Sequence, residues 1–191
     1  TLFRSGGVRT AVFSGSFMAI PASIANQLAL PVIGSPLFII SNPDLVIAQC
    51  KAGVIGSFPS LNARPIEQLD EWLSRINEEL AAARLANPQA KIAPYAVNLI
   101  VHKSNNRIEE DLALCVKHKV PIVITSLGAR TDVNDAIHSY GGIVLHDVTN
   151  AKHAKHAIGA VRAAKVPSAI FPAIGYAALA VGYLRARERG R

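Results

Sequence analysis

The chain has 191 residues, half of them hydrophobic, and a formal net charge of +7. This length suits one domain with a sizeable core, whereas a closed barrel of eight βα units needs roughly 250 residues. The uncharged run Ala169–Leu184 has sixteen residues. A membrane span needs roughly 20, so we expect none here.

The positive charge lies at the two ends of the chain. Residues 1–30 carry +2, residues 31–150 carry −2 and residues 151–191 carry +7. A basic end can bind nucleic acid or an anionic membrane surface. No aromatic residues are interleaved with the basic ones of the tail and no nucleic-acid motif is present, so we favour a solvated tail with no specific nucleic-acid partner.

One pattern recurs five times between Leu30 and Asn150: a short apolar run, a turn and a polar amphipathic stretch. Strands that alternate with helix-length segments are typical of βαβ units in a parallel sheet. The sequence therefore predicts an α/β fold of about five βα units, preceded by an irregular segment over 1–29 and followed by a tail from 159. The apolar runs are Pro31–Ile40, Val54–Phe58, Ile92–Val101, Pro121–Leu127 and Gly142–Val148.

Local signals place the helices between these runs. The sequence Ser41-Asn42-Pro43-Asp44 has a capping residue, a proline and an acid in the order that starts a helix. Further helices are predicted over Ile66–Leu85, Ile108–Lys119, Thr131–Tyr140 and Ala151–Ile158. After Gly159 the rhythm stops, and a strand expected near residue 160 is not recognisable.

Polar residues close several of the apolar runs, where parallel α/β folds bind ligands. Asn98 either fixes a local loop or bonds a planar heterocycle that has donors and acceptors. The stretch His102-Lys103-Ser104-Asn105 is either solvated surface or a ligand contact. His146 is either a satisfied core histidine or a donor aimed at a ligand. The turn Ser126-Leu127-Gly128 can approach a ligand closely because glycine tolerates unusual backbone angles.

Several common chemistries have no signature in this chain. It contains no GxGxxG fingerprint, phosphate loop, GxSxG or HExxH motif, and no metal site is expected. Cys50 and Cys115 are far apart and fall in predicted helices. We interpret them as buried free thiols in a reducing, cytoplasmic compartment.

Four motifs at the strand ends resemble nitronate monooxygenases, formerly called 2-nitropropane dioxygenases, over about Leu30 to Ile158. The resemblance implies part of a TIM barrel that holds FMN non-covalently and oxidises alkyl nitronates with dioxygen to a carbonyl compound and nitrite. The motifs are Gly34-Ser35-Pro36-Leu37-Phe38, Gly53-Val54-Ile55-Gly56-Ser57-Phe58-Pro59, Tyr95-Ala96-Val97-Asn98 and Ile124-Thr125-Ser126-Leu127-Gly128.

The resemblance also implies the residues of the cofactor site. The turn Ser35-Pro36-Leu37 would pass its backbone close to the flavin ring, and Asn98 would contact the flavin. Ser126 belongs to the fourth motif and joins them as a candidate. The family often has glutamine or lysine on the fifth strand, where His146 is the nearest match in this chain.

The resemblance ends near residue 158. The family's Gly-Gly-His-Ala-Gly-like motif, which carries the catalytic base, and its glycine-rich phosphate loops do not occur in residues 159–191. We therefore expect a truncated or frameshifted barrel with little or no turnover, and no catalytic residue can be assigned. The alternatives are an FMN-dependent enoyl-thioester reductase and an inactive fragment or basic-tailed interaction module. The sequence leaves open whether the chain forms a homodimer.

Overall fold

The computed structural model describes residues 22–150, 152–157 and 169–172 of the chain. Helices and strands alternate along it, with a 3₁₀ turn at Ser60–Asn62 and a helical stretch over residues 152–157. The helices are α1 (Ala22–Ala25), α2 (Pro43–Lys51), α3 (Ile66–Ala86), α4 (Ile108–Lys117) and α5 (Thr131–His138). The strands are β1 (Ser57–Pro59), β2 (Ala96–Ile100), β3 (Ile122–Ser126), β4 (Ile143–Val148) and β5 (Ala169–Pro172).

The five strands form one parallel sheet in the order β1-β2-β3-β4-β5. Each strand therefore lies beside the next one in the chain, as in a barrel, and the order never reverses as it does in a doubly wound sheet. The predicted α/β fold with a parallel sheet is confirmed, and four of the five predicted apolar runs supply strands to it.

One face of the sheet, which we call the outer face, is covered by α2 to α5. Alternate strand residues such as Val97, Val123 and Val144 join the helices in one buried cluster. From α3 this cluster takes four residues at spacings of three and four, Leu69, Leu73, Ile76 and Leu80, all at most 1% exposed. This spacing places them on one side of the helix, so the predicted amphipathic helix over Ile66–Leu85 is confirmed to within one residue.

The opposite face, which we call the inner face, carries the other alternate residues. Ala96, Ile122, Ile124 and Leu145 form a second buried cluster, which also contains two residues from the start of the described chain, Ile24 and Leu28. Because side chains alternate along a strand, the two clusters show which strand positions face which side. This assignment decides where the polar residues near the strand ends point.

The first helix of the repeating pattern starts as its sequence predicts. The Asn42 side chain accepts a hydrogen bond from the Leu45 amide at 3.0 Å, Pro43 is the first helical residue and Asp44 lies in the first turn. After α2, Gly53 adopts φ +78°, a conformation that glycine reaches without a side-chain clash.

The prediction of a strand over Pro31–Ile40 is wrong. Only Ile33 forms a bridge, parallel to Ile55, and the segment then turns away, leaving Phe38 61% and Ile39 76% exposed. Proline cannot donate to a ladder, and polar side chains compete for the remaining amides. The Leu37 amide donates to Ser41 Oγ at 2.9 Å and the Ile39 amide to Asn62 Oδ1 at 3.2 Å. The hydrophobicity of this segment, taken alone, therefore led to the wrong prediction of a strand.

Beyond residue 158 the structure adds a strand that the sequence pattern did not indicate. β5 pairs with β4 in parallel, from Leu145 opposite Ala169 to Val148 opposite Pro172. The other residues of the expected tail, and most of the expected irregular segment over 1–29, lie outside the described residues. Within the described part, no helix has both the length and the hydrophobicity required to cross a membrane.

The two cysteines are free and buried, as predicted. Burial raises the pKa of the Cys50 thiol to about 11 and raises that of Cys115 as well. Since the thiolate is the reactive form, both thiols are inert at neutral pH.

The packing of α3 predicts different costs for two leucines of the same helix. Leu73 is fully buried and Leu85 is 82% exposed. We expect Leu73→Ala to lower the free energy of unfolding by about 2–5 kcal/mol, since it leaves a cavity against the sheet. Leu85→Ala is the control and should change it by less than about 0.5 kcal/mol. Urea unfolding followed by circular dichroism measures both, and equal losses would contradict the assigned helix face.

Candidate functional site

The carboxyl ends of β2, β3 and β4 bring three polar side chains into a hydrogen-bonded chain. Asn98 on β2 donates from Nδ2 to the Ile124 carbonyl at 3.0 Å and to Ser126 Oγ at 2.8 Å. Ser126 then donates from Oγ to Asp147 Oδ2 at 3.2 Å. We call Asn98, Ser126 and Asp147 the edge relay. It lies on the inner face, because Ser126 and Asp147 alternate with Thr125 and His146 and are in phase with Ile124 and Leu145.

The orientation of the Asn98 amide follows from its partners. A carbonyl oxygen can only accept, so the nitrogen of Asn98 must face Ile124. Asn98 is only 6% exposed, and its two N–H groups are both used within the sheet. The two interpretations of Asn98 are thus compatible, because the amide fixes the β2–β3 edge and has a carbonyl oxygen left for a further donor.

The turn Ser35-Pro36-Leu37 lies at the same edge of the sheet. It follows the Ile33–Ile55 bridge, and Ser57 Oγ of β1 donates to the Gly34 carbonyl. Ser41 Oγ donates to the Ser35 carbonyl at 3.4 Å. One strand, β1, separates this turn from Asn98 on β2, which corresponds to about 10 Å across two strand spacings. The turn and Asn98 therefore share an edge without touching.

His146 does not join these residues. Its side chain is fully buried on the outer face, where Nδ1 lies 2.7 Å from Thr125 Oγ1. The strand register explains why His146 faces outward. Thr125 pairs with His146, and each directly precedes a residue of the edge relay, so both side chains point to the opposite face of the sheet. The prediction that His146 points toward a ligand at the strand ends disagrees with this position. The next residue, Asp147, is the one that reaches the inner face.

Burial controls the chemistry of His146. Its Nε2 atom is buried and has no hydrogen-bond partner among the described residues. Loss of hydration, with a smaller contribution from His138, lowers the pKa of His146 from 6.5 to about 4. His146 is therefore a neutral core histidine at physiological pH.

A cavity of about 410 Å³ opens beside the edge relay. Loops that follow β2, β3 and β4 line it, together with the helical stretch 152–157. Its lining includes Asp147, His102, Gly128, Thr149, His153 and His156. The described residues contain no cluster of three or more histidine, cysteine or acidic side chains that could hold a metal ion.

The stretch after β2 divides into two roles. Asn105 is buried and donates from Nδ2 to the Ile100 carbonyl at 2.8 Å, so it shapes the loop. His102 is exposed at the cavity, and its Nδ1 accepts the Ser104 amide at 3.2 Å. The proton of a neutral His102 is then on Nε2, which leaves a donor free for solvent or a ligand.

Asp147 is the site residue that sequence reasoning missed. The signal was available in the alternation of β4, since an acid two residues after the inner-facing Leu145 must share its face. The sequence-based hypothesis weighed the histidine by its chemistry and left the neighbouring carboxylate unassigned. The register of the sheet instead places Asp147 on the inner face and His146 on the outer face.

Comparisons with known proteins were made on sequence and on structure. No family model matches the chain, and no curated protein matches its sequence. Nitroalkane oxidase from Streptomyces ansochromogenes is similar in structure with a TM-score of 0.60 at 16% identity, over 73% of this chain and 46% of that one. FabK from Thermotoga maritima is similar with a TM-score of 0.58 at 19% identity, over 74% of this chain and 42% of that one.

The chain thus spans less than half the length of these solved structures. At such low identity the likeness establishes the fold, a parallel α/β arrangement that corresponds to part of a TIM-barrel-like protein. The fold expected from the resemblance to nitronate monooxygenases is confirmed. The cofactor contacts expected of Ser35, Pro36, Leu37, Asn98 and Ser126 stay predictions.

The buried neutral histidine predicts a loss of stability in acid. The unfolded chain protonates His146 near pH 6.5 and the folded protein only near pH 4. Stability is therefore full above about pH 6.5 and falls between about pH 6.5 and 4. We expect this group to remove about 2 kcal/mol between pH 7 and pH 5.

Urea unfolding at the two pH values measures this loss. His146→Gln, which does not titrate, should lose less stability between pH 7 and pH 5 than the wild type. His156→Gln, at an exposed position, is the control and should keep the wild-type dependence. An unchanged pH dependence in His146→Gln would contradict the burial argument.

Proposed function

We propose that the carboxyl edge of β1 to β3 forms the ring-binding side of an FMN site in a flavin oxidoreductase that acts on alkyl nitronates. The observation that carries this proposal is the fixed amide of Asn98. Its N–H groups are held by Ile124 and Ser126, so its remaining oxygen is set at the strand ends, where this type of fold binds ligands.

The residues at this edge fit the chemistry of a flavin ring. The ring has a flat apolar surface and one edge with an N–H donor between two carbonyl groups. Asn98 Oδ1 would accept from a donor of this kind. The turn Ser35-Pro36-Leu37 would lie on the other side, where its position is held by Ser41 and Ser57 rather than by a bulky side chain.

FMN supplies the redox chemistry when it is bound, so that a nitronate is oxidised with dioxygen to a carbonyl compound and nitrite. The described residues have a more limited task. Asn98 and Ser126 orient the ring edge, and the apolar residues under the sheet edge exclude water from its lower side. None of these side chains is a base for the reaction, and the family's histidine motif does not occur in residues 1–191.

The structural likeness to nitroalkane oxidase favours a substrate with a nitro or nitronate group. The likeness to FabK favours the second candidate, an enoyl-thioester reductase that uses FMN and NADPH. The consumed co-substrate separates the two. Oxygen uptake on adding an alkyl nitronate supports the first, and loss of NADPH absorbance with an enoyl thioester supports the second.

Flavin binding is the primary test, since it does not require the missing base. We expect residues 1–191 to quench the fluorescence of added FMN, with saturation. Asn98→Ala should weaken this binding by about tenfold, because it removes the acceptor and frees Ser126. Asn106→Ala, at an exposed position in the following loop, is the control and should bind as the wild type does. Absence of FMN binding in the wild type would contradict the proposal.

A further inference from the structure

The exposed apolar side chains of this protein are concentrated between residues 30 and 40. In the described part of the chain eight large hydrophobic side chains are exposed, and six of them lie in this stretch, each 44% to 76% exposed. We call these six the apolar patch: Leu30, Val32, Leu37, Phe38, Ile39 and Ile40. Monomers rarely expose contiguous apolar patches of more than a few hundred Å², so this one indicates an interaction surface.

The backbone of the same stretch has hydrogen-bonding groups left over. Toward Ile55, the Val32 carbonyl accepts the Ile55 amide at 3.1 Å and the Gly34 amide donates to the Ile55 carbonyl at 2.7 Å. The N–H and C=O of Ile33, which lies between them, point the other way and make no hydrogen bond to a described residue. This side of Ile33 is therefore an open strand edge, to which another extended segment can pair.

The charge pattern favours a second copy of the chain as the partner. No charged residue occurs from residue 10 to residue 43, so two copies of this stretch meet without repulsion between like charges. At the border of the patch the Arg64 guanidinium lies 5.7 Å from the centre of the Phe38 ring. Aromatic residues and arginine are enriched at protein interfaces. The patch requires an apolar, uncharged partner, and the same stretch of another copy has these properties.

The exposed area is sufficient for a dimer. If a large apolar side chain presents on the order of 150 Å² when fully exposed, the six exposed fractions correspond to roughly 500 Å² per copy. Two copies that cover each other would bury about 1,000 Å² in total from these side chains alone, which is the lower size limit of a specific interface. Other atoms around the patch add to this area.

We propose that two copies of this chain associate through the apolar patch, with their Ile33 backbones paired antiparallel across a two-fold axis. In an antiparallel ladder, opposite residues whose N–H and C=O groups face each other exchange two hydrogen bonds. Ile33 opposite Ile33 of the second copy satisfies both open groups in each chain. Such a contact is isologous, since the same surface is used twice, and it closes at two copies.

The pairing is short, and side chains supply most of the contact. Pro31 and Pro36 flank Ile33 and have no N–H to donate, so the ladder ends within a few residues. With Ile33 on the axis, residue 36 lies opposite residue 30. Leu37 of one copy is then next to Leu30 of the other, and the exposed turn covers the exposed start of the edge. The interface makes no use of a bound flavin and is tested without one.

Sedimentation velocity of the full chain over a wide range of concentration tests the association. We expect the mass to rise from 20.3 kDa to twice that value. Val32→Lys and Ile40→Lys each place a charge in the interface and should weaken the dimer by about tenfold or more. Leu85→Lys is the matched control, the same kind of change at an exposed leucine outside the patch, and should dimerise as the wild type does.

Circular dichroism checks that the three lysine variants are folded. Dimers of wild-type affinity in both Val32→Lys and Ile40→Lys would overturn the proposal. A wild type that stays monomeric would overturn it as well. Slow hydrogen exchange of the Ile33 amide in that monomer would assign the open edge to residues 1–21 of the same chain instead.

A cysteine on the two-fold axis tests the register. Opposite residues of a hydrogen-bonded antiparallel pair have Cα atoms about 5.5 Å apart, within the range of a disulfide. We expect Ile33→Cys to form a covalent dimer under mild oxidation. Leu85→Cys should stay uncrosslinked, and the native Cys50 and Cys115 are buried and contribute no background. A wild-type dimer whose Ile33→Cys variant does not crosslink would contradict the antiparallel pairing.

Discussion

The parallel register of β2, β3 and β4 is the constraint on which the rest of the molecule depends. It sets Ile100 opposite Ser126 and Thr125 opposite His146. Side chains alternate strictly along a strand, so a shift by one residue would turn the polar relay positions under the helices. The hydrogen bonds of the edge relay and the packing of the two buried clusters therefore require the same register.

The helical layer stabilises this register from the outer face and also fixes the loops that follow the strands. Asp111 on α4 is fully buried and accepts from Ser60 Oγ at 2.7 Å and from Arg107 Nη2 at 2.8 Å. Arg107 also donates from Nη1 to the Ala63 carbonyl at 2.8 Å. A buried carboxylate needs such partners, and these join α4 to the segment after β1. The loops at the site edge are thus held by an ion pair between a fully buried carboxylate and a partly buried guanidinium.

The first turn of the site is held differently. Asn62 donates from Nδ2 to the carbonyls of Leu37 and Ser41, both at 2.9 Å, and accepts the Ile39 amide. Leu37, Phe38, Ile39 and Ile40 are exposed around this asparagine. Polar side chains, rather than core packing, therefore set the path of the turn.

The sequence by itself determined the repeating architecture, the helices and the level of the sheet at which polar groups collect. The α3 pattern of Leu69, Leu73, Ile76 and Leu80 and the cap at Asn42 are local signals, encoded in spacing and in short-range hydrogen bonds. They do not depend on which strand lies next to which. These features could be predicted because their physical cause lies within a few residues.

Only the tertiary structure decided which of two adjacent residues, His146 or Asp147, faces the site, and that Pro31–Ile40 is a turn rather than a strand. Both depend on partners distant in sequence: Thr125 and Ser126 in the first case, Asn62 in the second. Composition cannot show such partners, since a hydrophobic run and a strand-end histidine look the same whichever way they face. Long-range strand pairing and register decide the face toward which each of these side chains points.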